Sequence, residues 1–182
     1  MLIDPGGISL LSTRNCRWLL TSAASVMLTV AVTEFALGSD ASKWDGDNRW
    51  AVRLIAGSYV SEGGARIGRA GIEIKLGAGW KMYWRHSGEA GVPPRFDFSG
   101  SENVTDVTVM WPAPQRFSDE GIHMIVYKDR VVLPLRVVPE NAAKPVRLRL
   151  KLVYGICEKL CILAEAQSEL LLSGGTITHE PA

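Results

Sequence analysis

The 182-residue chain has no excess of charge, with twenty Lys+Arg against nineteen Asp+Glu and a formal net charge of +1. That balance excludes the strongly basic character of a dedicated nucleic-acid binder and also an acidic tail protein. Three cysteines are too few for a disulfide-dense miniature scaffold. Three histidines form no His-x-His cluster. There is no G-x-S-x-G elbow and no P-loop, and the carboxylates are scattered without an acid/base pair. No stretch beyond the N-terminal segment keeps a helical period over three turns. What remains is 47% hydrophobic and 21% charged, the composition of a folded chain and not of a disordered one.

The N-terminal segment differs from the rest. Arg14 and Arg17 precede an apolar run from Trp18 to Val32. That run is shorter than the ~20 residues a spanning helix needs. Small residues follow, Ala36-Leu37-Gly38 and Ser39-Asp40-Ala41. This order of basic, apolar and small residues reads as a secretory signal peptide with a short leader over residues 1–41, the alternative being an uncleaved anchor. Cys16 lies before the apolar run and would leave with the peptide. The expected location is therefore periplasmic or otherwise exported. Residues 42–182 are expected to form one domain, with a frayed tail from Ser173.

From Trp50 onward the apolar residues alternate. Val52, Leu54 and Ala56, then Ala70, Ile72, Ile74 and Leu76, then Met82 and Trp84, mark three strands. Gly77-Ala78-Gly79 marks a turn. Further strands are expected around Val107–Trp111, Ile122–Tyr127 and Val131–Val137. Pro134 predicts an edge or a bulge for the last of these, because proline cannot donate to a ladder. Val146, Leu148, Leu150, Leu152 and Tyr154 form the cleanest alternation, and a final strand is expected from Ala164 to Leu172. Eight or so half-buried strands predict an all-β antiparallel sandwich or barrel. The Gly/Pro-rich stretch from His86 to Ser101 reads as a long loop.

The domain keeps two cysteines, Cys157 and Cys161. On one extended strand they would stand ~13 Å apart, whereas a disulfide needs Cα atoms within about 7 Å. A bond therefore requires Glu158-Lys159-Leu160 to reverse the chain or to form a helical turn. Three uses of the pair are open. A disulfide can simply staple an exported protein, though a ring this small removes little unfolded-state entropy. The pair can be redox-active. Two thiolates with His123, Met124 or His86 can hold a soft ion such as Cu(I). Glu158 and Lys159 offset one another and favour none of these.

Several blocks resemble a known family. They are Gly79-Trp80-Lys81-Met82-Tyr83-Trp84-Arg85, the run from Gly91 to Asp97, Trp111 to Phe117, Tyr127 to Leu135, and Tyr154-Gly155-Ile156-Cys157 through Cys161. In this order they resemble the N-terminal periplasmic domains of the thiol:disulfide interchange protein DsbD and of suppressor-of-copper-sensitivity proteins. The resemblance implies an immunoglobulin-like antiparallel β-sandwich. It implies a dithiol passing electrons from a thioredoxin-like partner to oxidised periplasmic proteins by direct exchange, without a cofactor. Carried over, Cys161 is the exchanging thiol and Cys157 the resolving one. Phe117 stands in the place of an aromatic cap, and Tyr83 beside the active site. The chain departs from the best-known members in its tighter Cys-x-x-x-Cys spacing and in carrying Ile162 where a proline is usual. It carries no membrane electron conduit or thioredoxin domain, so a separate membrane protein is expected to re-reduce it. The alternative is a copper-handling or protein-binding sandwich with a structural disulfide and no enzymatic role.

Overall fold

The computed structural model describes residues 39–173. The signal-peptide reading, Cys16, His179 and most of the expected tail lie outside them. Eleven strands follow in order: β1 Asp45–Gly46, β2 Trp50–Glu62, β3 Ala65–Leu76, β4 Lys81–Gly88, β5 Arg95–Asp97, β6 Val104–Val109, β7 Gln115–Asp119, β8 Ile122–Lys128, β9 Arg130–Pro139, β10 Val146–Cys157 and β11 Cys161–Leu172. Among the described residues there is no helix, and so none long and apolar enough to cross a membrane.

All pairings are antiparallel. One sheet runs β1-β2-β3-β9-β6, the other β11-β10-β4-β8-β7, with β5 also pairing β10. The architecture is the immunoglobulin-like all-β sandwich that the resemblance implied. Alternation explains the packing. Val52 and Leu54, Ile72 and Ile74, Leu133 and Leu135, and the even-numbered residues of β10 from Val146 to Ile156 all face one core. Burying such a side chain is worth roughly 1.5–3 kcal/mol. On the outer face of the first sheet, buried Glu73 is met by Arg53 and Arg130.

Three strands escaped the sequence pattern, because β1, β5 and β7 are short and hold few apolar residues. β4 and β5 also take up part of the expected His86–Ser101 loop. The β2–β3 hairpin turns at Gly63-Gly64, both with positive φ (57° and 81°), as a two-residue turn requires.

Pro134 lies neither at an edge nor at a bulge. It pairs with Gly71 in regular register, inside strand β9 between β3 and β6. Its carbonyl accepts from the Met110 N–H at 2.8 Å. The N and C=O of one strand residue face the same neighbour, so the missing donor falls just past Val109, where β6 has ended. The one bond forgone is the reciprocal one to the Met110 carbonyl, and the pairing of β6 itself is intact.

The edge strand β11 is partly covered: the Gln167 N–H, which points away from β10, donates to the Asp45 carboxylate at 2.7 Å. An occupied donor is one fewer group for an unwanted strand to pair with.

Tyr154 is wholly buried edge-on to Trp50, and its hydroxyl has no partner among the described residues. Burial pushes its pKa well above the ordinary 10.0 and pushes Tyr127 up to about 12. Unfolded tyrosines ionise near pH ~10, so above that the unfolded chain sheds protons the folded one keeps. Stability is expected to hold below that pH and to fall as pH rises through it. Tyr154→Phe is expected to flatten that fall and to raise stability at neutral pH by about 1 kcal/mol, by removing an unpaired buried hydroxyl. Urea unfolding across the alkaline range reads both effects.

Candidate active site: a disulfide on the outer face of a sheet

The pleat of β10 sends Ile156 into the core and Cys157 to the opposite face. β10 runs three residues further than its alternation predicted, and β11 starts three earlier, at Cys161. Glu158-Lys159-Leu160 reverses the chain, which was one of the two ways open to it. The reversal makes Cys157 and Cys161 cross-strand partners with Cα atoms 4.1 Å apart, and they are joined by a disulfide.

The two sulfurs differ in access. Cys157 is 5% exposed and packs with Tyr83 and Val126, against which Phe117 and Met124 also pack. Cys161 is exposed at the hairpin mouth. Leu160 (78% exposed) and Leu163 (58%) flank it as apolar surface.

Tyr83 reaches the pair from β4. Its O–H lies 3.0 Å from Cys157 Sγ, 3.6 Å from Cys161 Sγ and 3.7 Å from Met124 Sδ. A phenol has one proton and donates to one sulfur at a time, and the shortest contact is to Cys157. Burial raises the Tyr83 pKa, which keeps that donor protonated.

The ring is held in a slot between two glycines. A Cβ on Gly91 would meet the Tyr83 ring at 2.2 Å, and one on Gly155 would meet it at 3.3 Å and the Val92 carbonyl at 3.0 Å. The Gly155 N–H donates to that carbonyl at 3.1 Å, so the loop through Val92 is strapped across the ring. Gly155 lies in regular strand, so its role is to leave space.

Phe117, on β7, receives the Lys81 and Lys128 ammonium groups at 4.5 and 4.4 Å from its ring centroid. Of the residues weighed as metal ligands, Met124 joins the cluster. His123 is exposed, and His86 packs edge-on against Trp84. Among the described residues no three His, Cys, Asp or Glu side chains are grouped to hold a metal ion.

A disulfide with one shielded and one accessible sulfur, on the outer face of an antiparallel sandwich, finds its counterpart among known families. Residues 60–173 match the family described as thiol:disulfide interchange protein DsbD, N-terminal. The chain belongs to that family. The N-terminal periplasmic domain of ScsB from Proteus mirabilis, a crystal structure, is 28% identical with a TM-score of 0.58. The match covers 72% of this chain and 51% of that one, so this chain spans about half of that protein's length. The reduced DsbD N-terminal domain of Neisseria meningitidis is 17% identical with a TM-score of 0.33, over 58% of this chain and 76% of that one. No curated protein matches. The family and the bonded pair together support thiol–disulfide exchange as the general chemistry of this DsbD-type domain.

The sequence reading brought Cys157, Cys161, Tyr83 and Phe117 forward, and all four come together here. It overlooked Gly91, Val126, Lys81 and Lys128. Lys81 and Lys128 carried a usable signal, since each occupies the same-face position two residues from Tyr83 or Val126.

Gly91 has φ +104°, and Gly64, at φ +81°, has open space around it. Gly91→Ala is expected to destabilise the domain by about 2 kcal/mol more than Gly64→Ala, because only the first drives a methyl into Tyr83. Denaturant midpoints of the two variants give the comparison.

Proposed function

We propose that this domain is a periplasmic thiol–disulfide exchange module. It takes electrons from a thioredoxin-like donor and passes them through Cys157 and Cys161 to oxidised periplasmic proteins. The observation that carries the reading is the asymmetry of the bonded pair: Cys161 is open to another protein, while Cys157 sits beneath Tyr83 with Phe117 packed against its cluster. A staple alone does not require one sulfur to be presented.

The chemistry is two exchanges. A donor thiolate attacks Cys161 Sγ. The new S–S bond forms as the Cys157–Cys161 bond breaks, and its electron pair stays on Cys157. The donor's second thiol then attacks the mixed disulfide, leaving the donor oxidised and the domain reduced. In the forward step, Cys161 as thiolate attacks the disulfide of an oxidised protein, and Cys157 resolves the new mixed disulfide. No cofactor is consumed. Phe117 acts as the cap over Cys157 and Tyr83 as hydrogen-bond donor to it, while the apolar surface of Leu160 and Leu163 offers contact area beside the attacked sulfur.

Cys157→Ser is expected to accumulate a covalent complex through Cys161 with an oxidised thioredoxin-like protein, visible on non-reducing gels and absent with Cys161→Ser. Lack of any complex, together with a wild-type disulfide that no thioredoxin-like protein reduces, would overturn the reading.

Phe117→Ala, in the Cys161→Ser background, is expected to speed alkylation of the shielded Cys157 by a small reagent about tenfold, with the fold retained, since opening a cap changes access more than stability. An unchanged rate, followed by mass spectrometry, would remove Phe117 from the shield.

A further inference from the structure

Cys157, Lys81 and Lys128 form one transverse row across β10, β4 and β8. Residues directly opposite on antiparallel strands project from the same face, and like charges so placed repel. Seven arginines among the described residues (Arg49, Arg53, Arg69, Arg130, Arg136, Arg147 and Arg149) each meet a carboxylate, whereas no described lysine does. Lys81 and Lys128 form no ion pair among the described residues. Instead, Lys81 Nζ donates to the Gly79 carbonyl at 3.3 Å, and both ammonium groups rest on the Phe117 ring. Two unpaired cations beside a poorly exposed sulfur make an unfavourable arrangement for stability alone.

We propose that Lys81 and Lys128 are positioning residues that hold Phe117 against the cluster and supply the positive charge that Cys157 needs when the disulfide opens. The inference rests on the exchange reading above. When a donor thiolate attacks Cys161, the S–S electron pair is left on Cys157. Burial disfavours a thiolate there, and the lower the leaving thiol's pKa, the faster it leaves. The Tyr83 O–H provides one hydrogen bond but no charge. Lys81, one strand away in the same row, and Lys128 beyond it provide the charge. Around them, Glu158 and Lys159 oppose each other on the hairpin loop, with the Glu158 side chain lying near Gly79. On β7, Asp119 shares the face of Phe117 but stands opposite Ile122, at the far end of β8 from Lys128, and Arg116 projects from the other face; the Glu89 carboxylate is engaged by the His123 N–H. The lysines therefore set the sign of the local field. Their cation–π contacts also tie the cap to the same charges.

The test titrates Cys157 alone, in the Cys161→Ser background, following thiolate absorbance against pH. Lys81→Met with Lys128→Met is expected to raise the midpoint by about one unit, roughly tenfold less thiolate at neutral pH. Lys81→Arg with Lys128→Arg is expected to restore it. Should the double Met variant lose its circular dichroism signature, each single variant should still give part of the shift. A folded Met variant with an unmoved midpoint would overturn the proposal. The titration involves no partner protein. A shifted midpoint with no exchange would sink the exchange reading and spare this one, and intact exchange with an unmoved midpoint would do the reverse.

Discussion

The cross-strand pairing of Cys157 with Cys161 is the constraint on which the rest of the site depends. Four residues apart along an extended chain, the two sulfurs cannot meet. The three-residue reversal at Glu158–Leu160 folds β11 back onto β10 and makes the cysteines register partners. The same register sets which sulfur is shielded. Cys157 lies on the side of the hairpin that pairs with β4, beneath Tyr83, whereas Cys161 opens onto the free edge of the sheet.

Around that pair the domain uses the two faces of a sheet for two purposes. Even-numbered residues of β10 fill the sandwich core, and odd-numbered Gly155 and Cys157 build the site. β4 does the same with Met82 inward and Tyr83 outward, and β8 with Tyr127 inward and Val126 outward. The small outer cluster stays covered because the loop through Gly91 and Val92 and the Phe117 ring close over it from two directions.

Much of this was legible in sequence. Alternation in β2, β3, β9 and β10 reported the core directly, whereas the cysteine pair alone left three uses open and only the family resemblance pointed to exchange and to Tyr83 and Phe117. The failures have physical causes. β5 is Arg95-Phe96-Asp97, too short for a period to register. Pro134 was read by a rule about missing donors that holds only where a neighbouring strand asks for one; β6 stops at Val109, so none does. Nothing local in the sequence shows the role of Gly155, which is to leave room for a ring contributed by a distant strand. Lys81 and Lys128 looked like ordinary solvent-facing residues, since nothing local announces that β4 and β8 will stand side by side.

The separation of the two faces has a consequence for how such a domain can diverge. The buried residues around Cys157 form a hydrophobic cluster separate from the main core, and effects at sites without shared partners tend to add. The outer row can therefore accumulate substitutions that retune reactivity while the sandwich is inherited unchanged. That latitude accords with a chain that keeps its family's architecture at 28% identity to a solved relative.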